Sequence, residues 1–132
     1  MLNIALPKGR LGDKTYSLFE KIGYKCDELA KDSRKLIFEN KEKNIRYLLV
    51  KPSDVGIYVE KGAADIGVVG KDILLENDYD IYELLDLKLG ICKIAVASLS
   101  GYKEDTERKL RVATKYVNTA KKYYSSLYRE TD

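Results

Sequence analysis

The sequence predicts an α/β fold, in which helices cover a central sheet. Two observations lead to this prediction. Short apolar runs at residues 4–6, 45–51 and 63–70 are typical of buried strands, and each is followed by a polar turn. Apolar residues at helical spacing then follow each turn. Proteins built from repeated strand–turn–helix units bind their ligands at the carboxyl ends of the strands.

Length and composition favour one soluble, globular domain. The chain has 132 residues, of which 45% are hydrophobic and 34% charged, with a net charge of +3. Because this charge is spread along the chain, it favours a small anionic ligand over nucleic acid as the main partner. No segment approaches the ~20 apolar residues that span a bilayer, and no signal-like run opens the chain. We therefore expect a cytoplasmic protein with no membrane partner.

The two cysteines limit the chemistry that the chain can perform. Cys26 and Cys92 lie far apart in sequence, and the chain contains no histidine. Neither a thiol–histidine catalyst nor a Cys/His zinc site can therefore be assembled, and we predict no metal held by protein ligands. We expect both cysteines to be reduced and at least half-buried.

The first strand-to-helix turn is a candidate anion site. Pro7 ends the strand at residues 4–6, and Lys8, Gly9 and Arg10 follow where a helix is about to begin. Backbone N–H groups at a helix start have no partner within the helix, and the helix dipole is positive there. Gly9 lets the main chain approach an anion, while the two cations attract it. An ordinary solvated loop remains the alternative.

The next elements predict the outline of the sheet. The first helix extends to Ile22, with Leu11, Leu18, Phe19 and Ile22 on one face, and Gly23 ends it. Residues 35–40 and 45–51 form a hairpin around a charged, solvated turn at 41–44.

A second strand-to-helix turn lies at residues 51–54. Ser53 or Asp54 is the predicted N-cap of a helix with Val55, Val59 and Ile57 facing inward, which ends at Gly62. A strand at 63–70 and a helix from residue 71 follow. The G-x-G-x-x-G spacing of dinucleotide-binding turns is absent around these glycines.

The last third of the chain predicts the start of a second sheet. The apolar stretch at 82–99 is interrupted at residue 90, and its second half reads as a long strand. A loop at 100–109, a strand at 110–114 and a helix ending at Tyr128 follow. Tyrosines at helical spacing in that helix belong to a core or an interface. Three strand-to-helix turns carrying Lys or Arg would together form a positively charged cleft for a ligand rich in phosphate.

Five sequence blocks occur together in one order. They are 5–11 (ALPKGRL), 33–37 (SRKLI), 51–55 (KPSDV), 58–72 (YVEKGAADIGVVGKD) and 112–116 (VATKY). As a set they closely resemble ATP phosphoribosyltransferase in its short form, and the resemblance covers essentially all 132 residues. The resemblance implies a periplasmic-binding-protein-like fold of two α/β lobes, with the substrates in the cleft between them.

The resemblance also implies an activity. In this family N1 of the ATP adenine displaces pyrophosphate from C1 of phosphoribosyl pyrophosphate, with Mg²⁺ bound to the substrate phosphates, at the start of histidine biosynthesis. Short-form members work with a regulatory subunit resembling histidyl-tRNA synthetase, which here implies a homodimer within a hetero-oligomer.

Site residues follow from positions that match the family's motifs. Arg10 and Arg34 are the candidates for gripping the departing pyrophosphate, which makes them the predicted catalytic residues. The remaining candidates contact substrate: Lys8 and Gly9 shape the same pocket, Lys51 adds a cation, Asp65 belongs to a matching strand, and Thr114, Lys115 and Tyr116 line the nucleotide side of the cleft.

Two departures from the family pattern qualify this assignment. Gly56 stands where the family often has proline or threonine. The family's phosphoribosyl pyrophosphate loop lies downstream of the last matching block, and the sequence ends at Asp132 before reaching it. We therefore expect a first lobe at 1–90, an incomplete second lobe at 91–132 with open strand edges, and uncertain activity for this chain alone. A non-catalytic module that binds a small anion is the alternative.

Overall fold

A four-stranded sheet forms the centre of the computed structural model, which describes residues 1–29 and 34–132. The strands are β1 (Leu2–Pro7), β2 (Ile37–Asn40), β3 (Ile45–Val50) and β4 (Ile66–Gly67). Their order across the sheet is β2-β3-β1-β4. β1 runs parallel to both β3 and β4, whereas β2 is antiparallel to β3. The predicted α/β class and the hairpin are thereby confirmed.

Helices follow the strands as the sequence predicts. They are α1 (Arg10–Lys21), a 3-10 turn (Pro52–Asp54), α2 (Val55–Glu60), α3 (Lys71–Glu76) and α4 (Val117–Ser126). α1 and α2 contact β1, and α3 contacts α4. Gly23 and Gly62, the predicted helix ends, both have positive φ angles, of 93° and 71°. No helix in the described ranges has the length and apolar character needed to cross a membrane.

The register of the strands brings several turns to one edge of the sheet. Pro7 pairs with Val50 at the carboxyl ends of β1 and β3, and the Lys8 N–H donates to the Val50 carbonyl at 2.9 Å. β4 also ends here, because β1 and β4 are parallel. β2 is antiparallel and begins at this edge, where the Leu49 N–H donates to the Leu36 carbonyl at 2.8 Å. The segments after β1, β3 and β4 and before β2 therefore meet.

The core lies on both faces of β1. Ile4 and Leu6 point to one face and Ala5 to the other, as the alternation of a strand requires. A larger cluster on the first face comprises Ile4, Leu6, Tyr16, Cys26, Phe38, Ile45 and Tyr47. A smaller cluster on the second face comprises Ala5, Val50, Val55 and Ala64. α1 therefore covers one face of the sheet and α2 the other.

The buried face of α1 differs in part from the prediction, although the predicted Phe19 does pack against the larger cluster. Gly12, Thr15 and Tyr16 are its buried residues, whereas Leu18 is 37% and Ile22 67% exposed. A glycine and a hydroxyl residue pack here because the helix lies close to β1 and because Thr15 Oγ1 donates to the Leu11 carbonyl at 2.8 Å. The correct face follows an i, i+3, i+4 pattern that hydropathy alone does not reveal.

Three features around α2 also differ from the prediction. Ile57 is exposed rather than inward-facing, although Val55 is buried as predicted. Asp54 occupies the N-cap position of α2, as predicted, but its side chain makes no capping hydrogen bond and its carboxylate instead accepts from the Ser53 hydroxyl at 2.7 Å. β4 is much shorter than the predicted strand at 63–70, since it pairs with β1 only at residues 66 and 67.

The predicted strands of the last third are not formed in this chain. Residues 77–109 contain neither helix nor strand, although the predicted loop at 100–109 is confirmed. A strand requires hydrogen bonds to a neighbour, and at 110–114 the described residues supply only an isolated bridge between Leu110 and Thr131. Of the α4 tyrosines only Tyr124 is buried, and Cys92 is exposed, contrary to our expectation.

Candidate functional site

A hollow of about 290 Å³ lies at the carboxyl edge of the sheet. It is bounded by the end of β1, the start of α1, and the segments that flank β2. Its lining residues are Leu6, Pro7, Lys8, Gly9, Gly12, Asp13, Tyr16, Leu29, Arg34, Lys35, Leu36 and Leu49. Three cations therefore surround one small hollow above a floor of apolar side chains.

Gly9 shapes the turn beside this hollow. Its φ of 95° and ψ of −166° belong to a region that is essentially restricted to glycine. The Asp13 N–H donates to the Gly9 carbonyl at 3.1 Å, which closes the first turn of α1. The N–H groups before Asp13 have no acceptor within the helix, so they can receive an anion together with the positive end of the dipole.

Gly12 allows α1 to lie against the end of β1. A Cβ atom at this position would overlap the carbonyl oxygen of Pro7, which is backbone and cannot rotate away. Because Gly12 also lines the hollow, this close approach helps to form the wall of the site.

The predicted cations are partly brought together. Lys8 and Arg34 both line the hollow, whereas Arg10, the exposed first residue of α1, is not among its lining residues. Lys51 follows β3 at the same edge of the sheet. Among the described residues no salt bridge neutralises any of these four side chains. Ser33, which precedes Arg34 in its sequence block, lies outside the described residues.

Two other charged side chains modify the field in the hollow. Lys35 lines it and also pairs with Glu28 at 3.3 Å. Asp13 contributes a carboxylate on the α1 side. The hollow therefore combines an excess of cations with one acidic wall.

Asp65 lies at the opposite end of the sheet from these residues. Its carboxylate accepts a hydrogen bond from the Asn3 N–H at 2.7 Å and from the Asn3 side-chain amide at 3.1 Å. These bonds outweigh desolvation and lower the pKa of Asp65 below its usual value. Since Asn3 is near the amino end of β1, the structure separates Asp65 from the other predicted site residues and gives it a role in joining β4 to β1.

Thr114, Lys115 and Tyr116 form a compact group beside α3. The Tyr116 N–H donates to Thr114 Oγ1 at 3.0 Å, and Lys115 Nζ lies 4.7 Å from the centre of the Tyr116 ring. The Tyr116 hydroxyl donates to Asp72 Oδ2 at 2.6 Å. α3 follows the turn that leaves the carboxyl end of β4, so this contact ties the group to the same side of the sheet as the hollow.

Several residues that shape the site were not predicted from the sequence. Gly12, Asp13 and Tyr16 line the hollow, while Asp72 and Glu76 contact the start of α4. Tyr116 at the N-cap position of α4 forms no side-chain cap, so the first N–H groups of α4 need an acceptor from another element. A carboxylate is favoured there because the amino end of a helix carries positive partial charge.

Known proteins have similar sequences and a similar fold. The HisG family model, described as ATP phosphoribosyltransferase, matches residues 51–132. A protein of that name from Brachyspira hyodysenteriae is 70% identical over all 132 residues, which cover 64% of its own length. One from Bacillus cereus strain B4264 is 54% identical over 123 residues, covering 93% of this chain and 58% of that protein.

A solved structure agrees with these sequence matches. It is an ATP phosphoribosyl transferase (HisG:HisZ) complex from Thermotoga maritima, with a TM-score of 0.80 and 30% sequence identity. The match covers 99% of this chain and 62% of that one. The present chain thus spans less than two thirds of the length of these relatives. From the family match over most of the sequence and the shared fold, the chain belongs to the ATP phosphoribosyltransferase family.

Proposed function

We propose that this chain provides the pyrophosphate-binding part of an ATP phosphoribosyltransferase. The observation that carries this proposal is the convergence of Lys8 and Arg34 on one hollow at the start of α1, with Arg10 and Lys51 at the same sheet edge. The four cations come from three separate strand ends. A pyrophosphate group matches this arrangement in charge and in its number of acceptor oxygens.

The reaction requires the protein to position the two substrates and to stabilise the charge that develops. N1 of the adenine donates its electron pair to C1 of the ribose, and the bond from C1 to the pyrophosphate oxygen breaks. The departing pyrophosphate keeps that bond's electron pair, so negative charge accumulates on it while the sugar becomes cationic. Arg34, Lys8 and the free N–H groups of the turn at Gly9 would stabilise this charge as it develops. Arg10 would complete the grip from the first position of α1.

The nucleotide would bind on the side of residues 114–116. Tyr116 offers an aromatic face and Lys115 a cation, and the contact of Tyr116 with α3 supports a position beside the sheet edge. The described residues contain no group of three or more His, Cys, Asp or Glu side chains that could hold a metal ion. Mg²⁺ would bind with the substrate phosphates, as is usual for this ion.

The proposal includes a second lobe that begins within this chain. We assign residues 1–90 to the first lobe and 91–132 to the start of the second, in a two-lobe, periplasmic-binding-protein-like arrangement. Ile91, Val96 and Leu99 are 85%, 66% and 87% exposed, which is unfavourable unless further chain covers them. Because the Thermotoga maritima structure is a HisG:HisZ complex, it supports a regulatory partner of the HisZ type. A HisZ-type partner is a feature of the short form of this family. The proposed protein is therefore a short-form, cytoplasmic enzyme that acts as a homodimer within a larger complex.

A direct assay tests the proposed activity. The 132 residues, extended by the C-terminal third of the Brachyspira hyodysenteriae relative, would be mixed with ATP, phosphoribosyl pyrophosphate and Mg²⁺. We expect the N1-substituted adenine nucleotide to form, and its ultraviolet absorbance measures the rate of formation. A folded protein that binds pyrophosphate by calorimetry but forms no product would instead support a non-catalytic anion-binding module.

Substitution of Arg34 tests the site itself. Arg34→Ala in the extended protein should lower kcat by ~10²-fold if the guanidinium stabilises the developing charge. Arg108→Ala is the matched control, because Arg108 is exposed in the loop after residue 100 and pairs with nearby Asp105. Equal turnover of the two variants would remove Arg34 from the mechanism.

A further inference from the structure

The contact between α3 and α4 depends on one carboxylate. Glu76 Oε1 accepts a hydrogen bond from the Asn118 N–H at 2.9 Å. Glu76 Oε2 accepts two more, from the N–H and the hydroxyl of Thr119, both at 2.9 Å. The Glu76 carbonyl accepts a fourth from the Asn118 side-chain amide at 3.0 Å. One residue of α3 therefore makes four hydrogen bonds to the first turn of α4.

These bonds take the place of an ordinary helix cap. Tyr116, at the N-cap position, forms no side-chain cap, so the first N–H groups of α4 need an acceptor from elsewhere. Although desolvation opposes ionisation, the hydrogen bonds from α4 lower the pKa of Glu76. At neutral pH the carboxylate is therefore charged, which also favours its place at the positive end of the helix dipole.

A second carboxylate of α3 holds the residue just before α4. Asp72 precedes Glu76 by four positions, so both side chains lie on the same face of α3. Asp72 accepts from the Tyr116 hydroxyl at 2.6 Å. The segment from Tyr116 to Thr119 is thus held at two points by a helix that directly follows the last strand of the sheet.

We propose that Glu76 is a positioning residue for nucleotide binding, because it fixes the segment carrying Thr114, Lys115 and Tyr116 relative to the carboxyl edge of the sheet. This inference rests on the proposed function, in which that segment contacts the nucleotide. Glu76 itself touches no substrate in this proposal. Its effect is to hold Lys115 and Tyr116 in one orientation before the nucleotide arrives, which lowers the ordering cost of binding.

The variant Glu76→Gln isolates the carboxylate. Glutamine has nearly the same size, but its NH₂ group would face a backbone N–H donor, so at least one of the three carboxylate hydrogen bonds is lost. Glu83→Gln is the matched control, since Glu83 pairs with Lys71 at the start of α3 rather than with α4. Both variants remove one negative charge close to α3.

Two measurements on the 132-residue chain test the proposal. Amide hydrogen exchange at Asn118 and Thr119 should be about tenfold faster in Glu76→Gln, the size expected for losing a hydrogen bond to a charged group. Calorimetry should show ATP binding weakened by about tenfold, while inorganic pyrophosphate, bound in the hollow beside Lys8 and Arg34, keeps its affinity within about twofold. Glu83→Gln should match the unsubstituted chain in both measurements.

Several results would overturn the inference. Unchanged exchange in Glu76→Gln would show that the carboxylate does not hold α4, and unchanged ATP affinity would show that the hold is irrelevant to the nucleotide. An equal loss of affinity for ATP and pyrophosphate would indicate general destabilisation rather than positioning. If ATP and pyrophosphate both bind to the unsubstituted chain but the extended protein forms no product, the proposed catalysis is wrong. The binding measurements on Glu76→Gln would still test the role of Glu76.

Discussion

The two parts of this chain, residues 1–76 and 77–132, have similar proportions of hydrophobic residues but bury them very differently. In the first part every strand pairs within one sheet, and its two clusters include fully buried side chains such as Ile4, Tyr47 and Val55. The second part contains α4 and one isolated bridge, and Tyr124 is the single buried residue within 77–132.

The difference shows that an apolar run becomes a strand only when a partner is available. The run at 45–50 pairs with β1 on one side and β2 on the other, so its N–H and C=O groups are satisfied. The run at 91–99 has an equally suitable composition but finds no neighbouring strand within the described residues. Side chains in the first part are therefore buried because the strands pair into one sheet. An apolar composition alone does not bury them.

The largest expected effect is the difference in stability lost when one leucine from each part is replaced by alanine. Leu6→Ala removes a fully buried side chain from the larger cluster and should destabilise the chain by about 2–5 kcal/mol. Leu99→Ala removes a side chain that is 87% exposed, and should change stability by no more than about 0.5 kcal/mol. Urea unfolding followed by circular dichroism measures both. Comparable losses would show that the second part also buries apolar surface, and the contrast between the two parts would be wrong.

The same contrast explains how far the sequence could predict the fold. Turns such as 8–10 and 51–54 are correctly predicted because they depend on local residues. The parallel pairing of β1 with β3 and the antiparallel pairing of β2 with β3 then bring Lys8 and Arg34 to one hollow. The buried face of α1 was missed because Gly12 and Thr15 pack through closeness and a hydrogen bond, which hydropathy does not detect. The strand predicted at 91–99 is not formed because a strand needs a neighbouring strand from elsewhere in the sequence, which the described residues do not supply.

The candidate site shows the same division. Gly9 could be assigned from its place at a strand-to-helix turn, and the structure gives it a positive φ as that role requires. Asp65 is a predicted site residue because it lies in a matching block, yet the sheet places it at the end opposite the hollow. The sequence does not predict the contact of Glu76 with α4, because its hydrogen-bond partners, Asn118 and Thr119, are more than forty residues away.

A smaller effect is expected where α1 meets the sheet. Gly12→Ala improves helix propensity by up to about 1 kcal/mol, but its methyl group overlaps the Pro7 carbonyl. The clash should dominate because backbone cannot move aside cheaply, giving a net loss of about 1–3 kcal/mol. Affinity for pyrophosphate should fall as the start of α1 shifts from the hollow. Urea unfolding and calorimetry provide the two readouts.

Lys14→Ala is the control for this substitution, since Lys14 is exposed on the same helix. It should leave stability within about 0.5 kcal/mol of the unsubstituted chain. A Gly12→Ala protein that is more stable than the unsubstituted chain would mean that α1 can move outward freely, and the close approach to Pro7 would then not shape the site.

The smallest effect concerns Asp65, which joins β4 to β1 within the better-formed part. Hydrogen bonds from Asn3 lower the pKa of this carboxyl in the folded chain. A depressed folded pKa contributes stability above the unfolded value of about 4, and this contribution disappears as the pH falls through the folded pKa. Asp65→Asn should therefore be less stable than the unsubstituted chain at pH 7, with the difference shrinking below about pH 4. Asp80→Asn, an exposed substitution outside the sheet, is the control and should leave stability at pH 7 within about 0.5 kcal/mol of the unsubstituted chain. Thermal unfolding from about pH 2 to pH 7 makes the comparison, and a difference that grows on acidification would contradict the assigned role.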